Sequence, residues 1–226
     1  EKYRHLRGWT LKERLQGEKD TLGLFVTGHP FDEYEDEVRL LAPTKLSNLR
    51  DDKKVQKLAG LIVNMRLMKN KRGENMCFIT LDDRTGRVEV SLFSEVFEQV
   101  RDVIDKDKVI IIEASVRHDD YSGGLKANAI NAMEISQARL SYAQSLRVKV
   151  KREQLDHKFI THLKDMLEPV NAEQGEYGCP VIIEYSNDSA QADIQLGDQW
   201  RVRPTDEQML VLKYAFGENS VAMDYS

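Results

Sequence analysis

Asp82, Asp83, Arg84, Arg87 and Glu89 fall close together in the chain. Acids that hold a cation beside arginines that hold a phosphate are what metal-dependent phosphodiester hydrolysis requires. The same stretch, Asp82-Asp83-Arg84-Thr85-Gly86, also reads as a tight hairpin turn in which an aspartate bonds its own backbone. A turn supplies no distant partner acid, so the turn reading leads and a nuclease stands as the alternative. A second chemistry is phosphate attraction. Between Lys53 and Arg72 lie Lys53, Lys54, Lys57, Arg66, Lys69, Lys71 and Arg72, with no acid among them, in a chain of net charge −5. Such a run is commonly a solvated face; it points to phosphate here because it ends in the loop Lys69 to Glu74, between two runs of strand pattern. The remaining candidates are bland. His118-Asp119-Asp120 reads as a solvated turn, His29 beside Pro30 as structural, and Cys77 as a small buried hydrophobe. No phosphate-binding Walker loop, dinucleotide fingerprint, nucleophile elbow or zinc spacing is present.

The elements that must carry these residues follow from period-two patterning. From Leu58 to Phe93 three apolar-alternating runs succeed one another, separated by Lys69–Glu74 and by Asp82–Gly86. In the first, Leu61, Val63, Met65 and Leu67 share one face, and Asn64, Arg66 and Met68 the other. In the second, Cys77, Ile79 and Leu81 oppose Met76, Phe78 and Thr80. In the third, Val88, Val90 and Leu92 oppose Arg87, Glu89, Ser91 and Phe93. Ser94 then reads as the cap of a short helix with Phe97, Val100 and Ile104 on one side. Val109 to Ala114 reads as a central strand, His118 to Lys126 as a turn, and a last strand runs to about Ile135. Five strands with a helix between the third and fourth is the order of an OB-fold barrel, placed at about residues 51–137. That fold binds oligonucleotides on strands two and three and on the loops joining strands 1–2 and 4–5.

The chain on either side is organised differently. Residues 1–50 read as a helical linker, with breakers at Gly28 and Pro30, a short helix over Phe31–Leu41 and a stop at Pro43. Residues 138–226 read as a small α/β unit. It comprises a strand at Leu146–Val150 and an amphipathic helix at Glu153–Glu168 carrying Leu155, Phe159, Leu163 and Met166, ended by Pro169. Gly175 and Gly178 mark a loop; strands follow at Val181–Tyr185, Asp193–Leu196 and Trp200–Val202. A helix opened by a Thr205/Gln208 capping box and ended by Gly217 precedes a last strand at Val221–Tyr225.

Composition and charge set the limits. Of the 226 residues 41% are hydrophobic and 31% charged, and no apolar run approaches a membrane span. Two cysteines, Cys77 and Cys179, make neither a disulfide framework nor a zinc site, so a reducing, cytoplasmic compartment is expected. The chain opens on Glu1 without a methionine or a signal sequence and is read as a piece of a longer protein. Residues 1–144 carry 24 basic and 24 acidic residues; residues 145–226 carry 9 and 14, and so the whole net charge. A single-strand-binding barrel would place Arg66, Phe78 and Arg87 on its outward face. Lys69, Lys71 and Arg72 would flank them in one loop, Tyr121 and Lys126 in the other, with Arg84 in the hairpin.

Four segments, Leu22–Phe31, Lys71–Gly73, Leu81–Val90 and Asp119–Lys126, closely resemble the C-terminal region of the bacterial replicative DNA polymerase III alpha subunit family, and Gly197–Asp206 resembles its last part in the proteobacterial form. The resemblance implies that residues 1–50 lead away from the fingers and helix-hairpin-helix region, that 51–137 are an OB domain near the single-stranded template, and that 138–226 bind the tau subunit of the clamp loader. Trp200, Arg203, Met209, Leu212 and Phe216 are then the candidate tau anchors, and an acidic tail suits a protein partner. The parent would be a DNA-directed DNA polymerase using Mg2+ in its palm domain. This piece would hold no catalytic residue, metal or cofactor, and the sliding-clamp peptide would lie upstream. A pure protein-interaction module without useful DNA affinity is the alternative.

Overall fold

The computed structural model describes residues 9, 11–119, 123–167 and 178–225. The chain divides into two compact units, residues 1–134 and 135–226. In the first, β1 (Asp52–Lys69), β2 (Asn75–Asp82), β3 (Arg87–Leu92), β4 (Val109–Asp119) and β5 (Gly124–Glu134) close into a barrel of order β1-β2-β3-β5-β4. Helices α1 (Leu11–Leu22) and α2 (Glu35–Leu41) precede it, and α3 (Ser94–Val100) lies between β3 and β4. This is the OB-fold order that the sequence pattern predicts.

One strand closes the barrel. β1 spans 18 residues and is antiparallel to two neighbours, β4 along Asp52–Leu61, with an irregularity between Asp52 and Gln56, and β2 along Leu61–Lys69. A β-bulge falls at Val63, between the pairs Ile62↔Leu81 and Asn64↔Thr80. The extra residue switches which side chains face inward. Leu58 and Ile62 point into the core before it and Met65 packs against the core after it. The expected inward set Leu61, Val63, Met65, Leu67 is therefore corrected. Leu61 is buried outside the main core cluster, Val63 is half-buried, and Leu67 is 60% exposed. Gly60 sits where the strand coils: a Cβ there would lie 3.1 Å from the carbonyl oxygen of Asp82 and 3.2 Å from the Leu81 Cβ. The parities of β2 and β3 are as expected, with Cys77, Ile79, Leu81, Val88, Val90 and Leu92 buried.

Other boundaries move. The predicted turn His118–Lys126 is largely strand, since His118 pairs with Leu125 and Asp119 with Gly124. Ser94 does not cap α3; Phe93 occupies that position and Ser94 is the first helical residue. His29 caps the single turn Pro30–Tyr34: its Nδ1 accepts from the Phe31 N–H at 3.2 Å, and Asp32 accepts from the His29 N–H at 3.0 Å.

The second unit is a four-stranded mixed sheet of order β8-β7-β6-β9, from β6 (Ser145–Lys151), β7 (Val181–Ser186), β8 (Gln191–Gln195) and β9 (Val221–Asp224). β6 and β7 are parallel and the other pairs antiparallel. Helix α4 (Ile135–Tyr142), absent from the sequence reading, precedes the sheet. α5 (Phe159–Leu167) is shorter than expected, and Leu155 lies ahead of it, 45% exposed. Pro169 and Gly175 lie outside the described residues. No strand forms at Trp200–Val202; Asp198–Trp200 is a 3-10 turn, and Val202 makes an isolated bridge with Cys179. In α6 (Asp206–Phe216) Thr205 accepts from the Gln208 N–H at 3.2 Å. The reciprocal half of the capping box is not made, because the buried Gln208 amide donates to the Leu167 carbonyl instead.

Candidate nucleic-acid interface

The register of β1, β2, β3 and β5 arranges the outward-facing side chains in rows. One row is Arg66–Phe78–Ser91–Asn128, in which Ser91 is buried, and the next is Asn64–Thr80–Glu89–Lys126. Asp82 and Arg87 form a third, at the hairpin end. Met68 and Met76 form a fourth, at the end where the β1–β2 loop leaves. Arg66 and Phe78 are direct cross-strand partners, and the guanidinium carbon stands 5.3 Å from the ring centroid. A cation held over an aromatic ring is attracted by its quadrupole, and the pair makes a flat polar-on-apolar surface.

The β1–β2 loop is organised by one side chain. The Asn70 carbonyl oxygen accepts from the Arg72 N–H at 2.8 Å and the Glu74 N–H at 3.0 Å. The Asn70 amide donates to Glu74 at 2.7 Å and to the Ser94 hydroxyl at 3.1 Å. Gly73 takes φ 81°, the left-handed conformation that glycine enters without strain. Lys69, Lys71 and Arg72 are exposed on this frame, and among the described residues none of them has an ion pair.

The other predicted contacts are placed elsewhere and are already engaged. Arg84, at φ 70° in the β2–β3 turn, pairs with Asp32. The Arg87 Nε donates to Asp82 at 2.7 Å. Lys126 pairs with Asp119 at 2.9 Å. Tyr121 lies outside the described residues. Lys53 and Lys54 sit at the far end of β1 from Lys69, so the basic run is not one patch. The expected site is thus split, with unneutralised cations concentrated at the β1–β2 loop.

The acids of the hairpin hold the turn. Asp83 is buried, and its carboxylate accepts from the Thr85 N–H and hydroxyl, the Gly86 N–H and the Leu46 N–H, at 2.7–3.0 Å. Asp82 accepts from the Arg84 N–H at 2.7 Å. Burial pushes the Asp82 carboxyl up, but Arg87 and the Arg84 N–H outweigh it and hold it below the usual range. Among the described residues no group of three His, Cys, Asp or Glu is placed to hold a metal ion. No described helix is long and apolar enough to cross a membrane.

In the second unit two of the five expected partner anchors are core residues. Leu212 is fully buried and Met209 nearly so. Trp200 and Phe216 are half-buried against the same core, the Phe216 ring lying edge-on to Phe159 at 6.3 Å, and Arg203 is exposed. The apolar side chains that α6 presents to solvent are Leu210, Val211 and Tyr214, the last 94% exposed. Their i, i+1, i+4 spacing was legible, but it competed with the core stripe of the same helix.

Comparison with known proteins agrees with this geometry. Residues 56–136 match a family model described as an OB-fold nucleic acid binding domain. Residues 162–217 match the DNA polymerase III subunit alpha C-terminal domain. The DNA polymerase III subunit alpha of Pseudomonas aeruginosa is 43% identical over 99% of the chain, and that of Escherichia coli K12 is 34% identical over 99%. A solved second OB-fold domain of replication protein A from Methanococcus maripaludis is 21% identical, covering 41% of this chain and 93% of that one, with a TM-score of 0.32. Closed barrel and family model together define an OB-fold domain of the nucleic-acid-binding class, followed by an α/β unit. The chain belongs to the DNA polymerase III alpha family, and it spans about a fifth (19%) of the length of those relatives.

Proposed function

We propose that the barrel binds single-stranded template DNA for a replicative DNA polymerase whose chemistry is carried by other parts of the whole protein. The observation that carries this reading is the β1–β2 loop. Lys69, Lys71 and Arg72 stand unneutralised on a frame fixed by Asn70, beyond the Met68–Met76 row that adjoins the Arg66–Phe78 pair. Basic side chains hold a backbone without reading sequence, and a flat cation–aromatic surface accepts any base. Binding is then salt-sensitive and sequence-tolerant. The test is fluorescence anisotropy of a labelled single-stranded oligonucleotide across a salt series, for this chain and for a variant with Lys69, Lys71 and Arg72 all changed to Glu. Steep weakening with salt, and loss of binding in the variant, support the reading. Absence of binding at low salt overturns it and leaves the barrel as a protein-docking domain.

The second unit, on this reading, docks the tau subunit of the clamp loader. The exposed Leu210, Val211 and Tyr214 of α6, in an acidic segment, supply an apolar strip with a charged surround suited to a protein surface. Titration calorimetry with purified tau tests it: Tyr214→Ala, which removes an exposed ring and leaves the core intact, weakens binding at least tenfold. Unchanged affinity places the contact elsewhere.

A further inference from the structure

We propose that Phe93 is a base-stacking position for a single strand, served by the cationic loop that Asn70 ties beside it. The inference rests on the single-strand reading of the barrel and adds to it a residue that period-two patterning places on the outward side of the third run but that the expected contact set leaves out.

The ring in the expected contact set, Phe78, is half-buried and already has Arg66 over its face. A base must stack on the guanidinium there or displace it. Phe93 is different. It directly follows β3 with the outward parity of Glu89 and Ser91, and it is 49% exposed. Among the described residues its ring has neither an aromatic nor a cationic partner. Met68, 47% exposed, and its cross-strand partner Met76 occupy the same end of the face and add soft apolar surface.

The link between ring and cations is Asn70. Its amide donates to the hydroxyl of Ser94, the residue next to Phe93, while its carbonyl oxygen holds the N–H groups of Arg72 and Glu74. One side chain therefore shapes the loop and moors it beside the exposed ring. Glu74, the acid of the loop, is turned onto the Asn70 amide at 2.7 Å. Three unneutralised cations beside an exposed ring and a thioether complement a nucleotide, whose base is apolar-faced and whose phosphate is anionic.

Phe93→Leu tests this without unsettling the fold. The backbone carbonyl of Phe93, not its ring, receives the Phe97 N–H at 2.8 Å and opens α3. In the anisotropy assay with labelled oligo-dT, Phe93→Leu weakens binding about tenfold and leaves the salt slope unchanged, because stacking releases no counterions. Asn70→Ala weakens binding while all three cations remain. Phe93→Trp retains the affinity of the unsubstituted chain, and the added indole emission, taken as the difference from that chain, is quenched by saturating oligo-dT. Phe93→Leu binding like the unsubstituted chain, or a difference emission of the Phe93→Trp variant indifferent to oligo-dT, overturns the inference alone. No binding by the unsubstituted chain at low salt overturns both it and the reading on which it rests.

Discussion

His29 shows how one side chain can tie a segment to solution pH. Its Nδ1 accepts the Phe31 N–H, so the ring must be neutral there, with its proton on Nε2. Burial lowers its pKa from 6.5; Asp32 and Asp82 pull the other way, and Arg84 adds to the lowering. A depressed histidine stabilises the fold fully above 6.5, and the contribution is lost as pH falls through the folded value. The cap itself contributes about 0.5–2 kcal/mol. Amide exchange at Phe31 and Asp32 is therefore expected to accelerate as pH drops below 6.5, beyond the intrinsic pH dependence. A His29→Ala variant would already show that looser exchange at neutral pH. Equal protection in the variant at neutral pH would show that the cap does not hold the turn.

At the scale of elements, the bulge decides what could be read in advance. Strict alternation from Leu61 to Leu67 is real in the sequence, but Val63 is an extra residue and the face changes there. No residue type marks such a bulge, because Val63 is as good a strand former as its neighbours. Gly60 is the one local sign, and it marks the coil rather than the parity change. Gly60→Ala would press its methyl against the Asp82 backbone and the Leu81 side chain, at 3.1–3.2 Å. A loss of about 1–3 kcal/mol is expected, read as a lower denaturant midpoint at unchanged slope. Elsewhere, alternation placed β2 and β3 correctly because both are regular along their pairing. The helix predicted from Glu153 was overextended because Leu155 fits the apolar period while remaining exposed ahead of α5. The loop cations were legible in kind. Which of the predicted cations stay available was not, since Arg84 is neutralised by the distant Asp32, and Arg87 and Lys126 by Asp82 and Asp119 across their own strand pairs.

At the scale of the molecule, each unit has its own apolar core. Charge is divided between them in the same way, with the acidic excess in the second. Leu212 is fully buried in the second core. Leu212→Ala is expected to destabilise that unit by about 2–5 kcal/mol. Oligonucleotide affinity should be unchanged at temperatures where the second unit remains folded, if DNA binding resides in the barrel. A parallel loss of DNA affinity under those conditions would mean that the second unit takes part in it. Cys179 reports on the same core: burial pushes its thiol up to about 11, so labelling by a thiol reagent at neutral pH should follow opening of this unit.

The way β1 is shared has a consequence in time. Its first half pairs with β4, so Leu58 lies across from Ile112, about 54 residues later in the chain. At a ribosomal rate of about 5–20 residues per second, that half of the strand waits roughly 3–11 s after it is made before its partner exists. During that interval β2 and β3 can already pair with its second half and with one another, while Leu58 and Ala59 have no neighbouring strand and Leu61 has only Asp82 of β2. A nascent chain halted between β3 and β4 should therefore engage a chaperone that recognises apolar strands, and release it once β4 emerges.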